Sequence, residues 1–100
     1  MNSVRIAGRI VELSALRYTP AGVPAVEFRL EHQSEQAEAG GRREVKAEIE
    51  AVALDTQARL VAGMKIGTGV KLEGFLSAKS KRSKKLVLHV TDIEFAEKGN

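Results

Sequence analysis

The sequence predicts an all-β fold, a small five-stranded barrel with one short helix between the third and fourth strands. Three observations predict it. Apolar and polar residues alternate with a period of two over most of the chain, the mark of half-buried strands. The period turns helical only once, between Val52 and Met64. The alternation also changes phase in the first and last strands, as strands do where they bend to close a barrel. A chain of 100 residues is long enough for one modest core, so residues 1–100 are read as one domain.

In the first strand Val4, Ile6 and Ile10 share one phase and Arg5 and Arg9 the other. Gly8 interrupts the apolar face, after which Val11 and Leu13 are apolar in the opposite phase. Residues Arg17 to Pro24 form a loop, with Pro20 second and Gly22 fourth in a turn of type I chemistry. Val26, Phe28, Leu30 and His32 alternate with Glu27, Arg29, Glu31 and Gln33 in the second strand. Ser34 to Gly41 is polar, ends in two glycines and is expected to be a flexible loop. Val45, Ala47, Ile49 and Ala51 alternate with Glu44, Lys46, Glu48 and Glu50 in the third strand. Leu54, Ala58, Val61 and Ala62 then fall at helical spacing, with Asp55 near the start and Gly63 after the end.

In the fourth strand Val70, Leu72, Gly74, Leu76 and Ala78 oppose Lys71, Glu73, Phe75 and Ser77. In the fifth, Leu86, Leu88 and Val90 are followed by Ile93 and Phe95 in the other phase, and Glu97 to Asn100 is expected to fray. The predicted core is His32 with Val26, Phe28, Leu30, Val45, Ala47, Ile49, Val70, Leu72, Leu76, Leu86, Leu88 and Val90. Strand, strand, strand, helix, strand, strand is the order of an OB-fold. Periodicity alone also allows another small barrel, or an α+β sheet with one helix.

The net charge is +3, unevenly spread. Between Glu31 and Glu50 there are six Glu against three Lys or Arg, whereas Lys79-Ser80-Lys81-Arg82-Ser83-Lys84-Lys85 has five cations and no acid. That run has nothing to bury, so it reads as a hairpin tip held in solvent. Five like charges so close repel one another, a cost that a polyanion relieves, and phosphate backbones are the commonest such partner. A merely solvated tip is the alternative. There is no cysteine, which excludes disulfides and thiolate chemistry and fits a reducing compartment. No apolar run approaches a membrane span, and Met1 to Ile6 enters strand alternation without a signal-peptide core, so a cytoplasmic location is expected.

Little points to catalysis. His32 falls on the inward face, where a histidine with satisfied ring nitrogens is expected, and His89 is out of phase with Leu88 and Val90. Two separate histidines make a poor metal site. Gly63, Gly67 and Gly69 match no phosphate-binding loop, and Ser80 and Ser83 have no base nearby in sequence. No enzyme activity and no cofactor are expected. In an OB barrel, nucleic acid crosses the second and third strands, flanked by the loop between strands one and two and the loop between strands four and five. That frame makes Lys79, Lys81, Arg82, Lys84 and Lys85 candidate nucleic-acid contacts, with Arg29, Arg43 and Lys46 as outward residues on the second and third strands. Aromatics are few: Phe28 is in the core phase, Phe75 lies opposite its strand's apolar face, and Tyr18 is a stacking candidate or a residue that anchors its turn.

The segment Arg17-Tyr18-Thr19-Pro20-Ala21-Gly22-Val23-Pro24, then Phe28, Leu30-Glu31-His32 and Ser34, resembles the primosomal replication protein N (PriB) family. So do Gly74-Phe75, Leu88-His89 and Ile93-Glu94, and the likeness covers nearly the whole chain. The resemblance implies a homodimeric OB-fold that binds single-stranded DNA and helps restart stalled replication forks. It implies as partners the restart helicase PriA and, where present, the loader DnaT. Family binding uses lysines of the loop between strands four and five, here Lys79, Lys81, Arg82, Lys84 and Lys85. Two departures stand out: that loop is shorter, and Lys46 and Gly41 stand where well-known members carry a tryptophan and another aromatic. Binding that leans on charge more than on stacking follows. The nearest alternative, a general single-strand DNA- or RNA-binding protein, would carry an acidic C-terminal tail, whereas the sequence ends Glu97-Lys98-Gly99-Asn100. A protein–protein adaptor with weak DNA binding is the alternative from another class.

Overall fold

The computed structural model of the chain describes residues 1–96; the expected fraying of Glu97 to Asn100 lies outside the described residues. Its elements are β1 (Val4–Leu13), β2 (Arg17–Tyr18), β3 (Pro24–Glu38), β4 (Gly41–Leu54), α1 (Thr56–Ala62), β5 (Gly69–Ser80) and β6 (Ser83–Phe95). Five of the strands close on themselves. β1 pairs with β5 through its first half and with β3 through its second, β3 with β4, β4 with β6, and β6 with β5. All pairs are antiparallel except β4–β6, which run parallel through Ala51–Ala53 and Leu88–Val90. Closure removes the sheet's free edges. This is the five-stranded OB topology the element order predicts. β2 is a two-residue strand on the start of β3 that closes the Arg17–Pro24 loop.

Both phase switches are bulges. β1 skips a residue at Val11 in its pairing with β3, and β6 skips Thr91 opposite β5. Glycine is required where strands cross most closely. A Cβ on Gly8 would lie 2.2 Å from the Glu31 carbonyl oxygen, and one on Gly74 2.0 Å from that of His89. Inward residues of all five strands meet in one core of Ile10, Val26, Phe28, Leu30, Ala51, Ala53, Val70, Leu72, Leu88, Val90 and Ile93, with Ala58, Val61 and Met64 packed in from α1 and the turn after it.

The structure corrects four expectations. Ser34 to Gly41 is not a loop. β3 and β4 continue as a two-stranded ribbon joined by Ala39-Gly40, whose φ values of 52° and 80° fit the type I′ turn that matches strand twist. The ribbon projects beyond the barrel, so both its faces are wet and no apolar alternation marks it. Cross-strand pairs hold it instead, with Gln33 donating to Glu44 at 2.8 Å and Arg42 donating from Nε to Glu35 at 3.0 Å. Projection also leaves Ala47 exposed and Val45 half-buried, although both are in the core phase. The helix begins only at Thr56, because Val52 and Leu54 still belong to β4. Leu86 is 57% exposed beyond the barrel's end, while its neighbour Val87 is buried.

Candidate nucleic-acid interface

Strand register decides which charged residues share a face. Direct β3–β4 partners point the same way, so Glu27, Arg29, Glu31, Gln33, Glu35 and Ala37 lie outward with Val52, Glu50, Glu48, Lys46, Glu44 and Arg42. Arg29 and Lys46 are therefore where the sequence reading puts them. Arg43 is not. Odd positions of β4 take the core phase, so Arg43 lies on the ribbon's other face, paired with Glu38 at 2.9 Å, and Arg42 is the residue that joins Arg29 and Lys46. Counting parity from Val45 would have found it.

This outer face is predominantly acidic, and its cations are engaged. Arg29 donates from Nε to Glu12 at 3.0 Å and lies 3.8 Å from Glu48 and 3.6 Å from Glu50. Arg17 pairs with Glu27 at 2.8 Å and Arg9 with Glu31 at 3.3 Å. Lys46, well exposed, lies 4.0 Å from Glu44. Exposed pairs of this kind contribute little stability each, but they offset the positive charge available to a phosphate on this face.

The basic run is less of a loop than its composition suggests. β5 and β6 continue to Ser80 and Ser83, which face each other, leaving Lys81 and Arg82 as the turn. Lys81, Arg82, Lys84 and Lys85 are exposed, and among the described residues none has a carboxylate within ion-pair distance. Lys79 differs, because its ammonium donates to Glu50 at 3.1 Å and links the hairpin to the acidic face. That ammonium, backed by Arg29 and Lys85, holds the Glu50 carboxyl below its ordinary value of 4.5 against the opposing effect of desolvation. A carboxyl lowered in the folded state adds stability that is complete above its ordinary value and lost as pH falls through the lowered one. Glu50→Gln should therefore differ from wild type in melting midpoint at neutral pH, and the gap should close below about pH 4.5. A gap that stays constant down to pH 3 would assign the difference to something other than this pair.

Between the hairpin and the Arg17–Pro24 turn lies a groove of about 480 Å³, bordered by Glu12, Arg17, Glu27, Arg29, Glu50, Val52, Lys79, Val87 and His89. Thr19 holds the turn: its N–H donates to the Val23 carbonyl at 2.9 Å, its carbonyl accepts from Gly22 at 2.8 Å, and its hydroxyl accepts from Val23 at 3.1 Å. Tyr18 is exposed beside it, and among the described residues its hydroxyl makes no hydrogen bond. His32 has both ring nitrogens satisfied, at 2.6 Å from the Ala7 carbonyl and 2.8 Å from the Ser34 hydroxyl. It is half-buried and ties β3 to β1.

Comparison with known proteins follows this geometry. Residues 2–92 match the model of a family described as another single-strand binding protein family. The replication restart protein PriB of Bordetella pertussis is 44% identical over 90 residues, covering 90% of this chain and 84% of that protein. PriB of Nitrosomonas europaea is 43% identical over 91 residues, covering 91% and 84%. The solved structure of PriB from Ralstonia solanacearum superposes with a TM-score of 0.86 at 32% identity, covering 96% of this chain and 99% of that one. The chain belongs to the PriB family.

Lys46 and Gly41 place no ring on the β3–β4 face. The aromatic surface lies on the neighbouring strands instead, where Phe75 of β5 and His89 of β6 stack on each other on the outward side. Sequence phase exposes each of these residues, but only the β5–β6 register pairs them.

Proposed function

We propose that this protein is a single-stranded-DNA-binding accessory protein of replication restart that acts by binding and not by catalysis. Residues 1–100 act as one OB unit in the cytoplasm, grip DNA chiefly through Lys79, Lys81, Arg82, Lys84 and Lys85, and stimulate a restart helicase of the PriA type, with a DnaT-type loader as a further partner. The observation that carries the reading is the tight two-residue hairpin of a closed OB barrel, which concentrates five cations without an acid among them. Arg29, Lys46 and Tyr18 are secondary contacts at the border of the strand face, and the glutamates of that face press the phosphate path toward the hairpin. Arg43 contributes from the ribbon's other side. The test is a salt titration of binding to single-stranded DNA, duplex DNA and RNA of equal length. Single-stranded DNA should bind tightest, with log affinity falling by about 0.7 per phosphate contact for each decade of salt. Equal or tighter binding to duplex would overturn the reading.

Resemblance to the family also supports a homodimer. Light scattering across a range of concentrations should give twice the chain's mass, and the mass of one chain throughout would reject the dimer. A second reading draws on the acidic β3–β4 face, which complements a basic protein surface better than a polyanion: an adaptor that docks the helicase and binds DNA weakly. Measured side by side, an affinity for the helicase far above that for DNA would favour the adaptor.

A further inference from the structure

The β5–β6 hairpin carries a second feature besides its cations. Phe75 and His89 are direct cross-strand partners whose neighbours Gly74, Leu76, Leu88 and Val90 take the inward phase, so both rings face out. The rings stack on each other, 7° from parallel with centroids 5.0 Å apart, and Phe75 is 41% exposed. Toward the tip, the outward phase runs through Ser77 to Lys79 on one strand and from Val87 to Lys85 on the other. Four residues of strand span about 13 Å, so each arm roots one lysine about that far along the strand from the rings, beside the register shift between Ala78 and Ser80. On its other flank His89 has Val52, its β4 register partner, at the border of the groove.

An exposed ring at the end of a stacked pair, in line with cations, complements one class of ligand, a single-stranded nucleic acid, in which every base has a π face and every link a negative charge. We infer that the stacked Phe75–His89 pair is a nucleobase-stacking platform, with a base added to the stack on the exposed ring of Phe75 and the adjoining phosphates meeting Lys79 and Lys85. The inference rests on the single-strand-binding reading above and assigns the stacking site within it. Lys79 exchanges its Glu50 partner for a phosphate on binding. Stacking carries no counterion release, so the platform adds affinity that salt does not weaken, whereas the lysines supply the salt-dependent part.

The test compares wild type, Phe75→Ala and Phe75→Trp, using an oligothymidylate of about 15 nucleotides, near the upper site size of one OB barrel, and an abasic backbone of the same length. Phe75→Ala should weaken oligothymidylate binding by about 5- to 150-fold, the worth of one stacked base. The loss should be the same at every salt concentration with the slope unchanged. Phe75→Trp should bind at least as tightly as wild type. On the abasic backbone all three proteins should bind alike. Should Phe75→Ala disturb folding by circular dichroism, Phe75→Leu replaces it in the same comparison. Wild-type affinity of the alanine or leucine variant for oligothymidylate would overturn the platform and leave the single-strand reading intact. So would an equal loss on the abasic backbone, or a change in association state without a change in DNA affinity. If wild type binds neither oligomer, the single-strand reading itself falls.

Discussion

Phe28→Ala is expected to cost about 3–5 kcal/mol of folding stability, the usual range for removing a buried aromatic ring. Phe28 is 5% exposed and sits in the core formed by Val26, Leu30, Ala51 and Leu88. Its strand pairs with β1 on one side and β4 on the other, so the backbone there has little freedom to collapse into the space left behind. Small alanines at 51 and 53 line the same interior and cannot extend to fill it. A barrel of this size retains only a modest margin, so the variant should be largely unfolded at temperatures the wild type tolerates. Urea unfolding monitored by circular dichroism measures the difference, and a loss well below 1 kcal/mol would place Phe28 outside the core.

The fold was legible where one face of a strand is buried. Val26, Phe28 and Leu30 against Glu27, Arg29 and Glu31 could be read directly, because burial on one side is what produces alternation. It was illegible where both faces are wet. Gln33 to Glu38 and Gly41 to Glu44 form a regular ribbon, but with no core beneath them selection for apolar residues vanishes and strand looks like loop. Near the barrel's ends phase alone misleads, since Leu86 continues the Leu88 phase past the last layer of the core. Ile10, fully buried at the bulge, was missing from the predicted core because its strand changes phase one residue later.

For the site, composition gave the basic hairpin, because a cationic run is local information, and the motifs from Arg17 to Ser34 carried the resemblance to the PriB family. Pairing is not. Glu50 and Lys79 are 29 residues apart, and only closure of β4 onto β6 brings them together. The same holds for Arg29, whose three carboxylate neighbours come from β1 and β4. The glutamate alternation of the third strand was visible in the sequence, yet its consequence, an acidic outer face where the fold would lay a polyanion, needed the β3–β4 register to appear.

Replacing Lys81, Arg82 and Lys84 together with alanine should flatten the slope of log affinity against log salt by about 1.4–2.1, the loss of two or three phosphate contacts. These three are the turn residues and the next exposed cation on β6, and among the described residues no carboxylate neutralises them. Lys79 is set apart by its bond to Glu50, and a two-residue turn cannot aim all five side chains at one strand, so two to four contacts per chain are expected in the wild type. The affinity gap between variant and wild type should widen as salt is lowered and narrow toward molar salt, where screening removes the advantage of charge. Folding should change by no more than about 0.5 kcal/mol, since exposed tip residues bury little. That separation matters: a weaker binder with an unchanged melting midpoint assigns the loss to the interface and not to the fold. If the triple variant keeps both its affinity and its salt slope, the hairpin tip is only solvated, and the DNA site must be sought elsewhere.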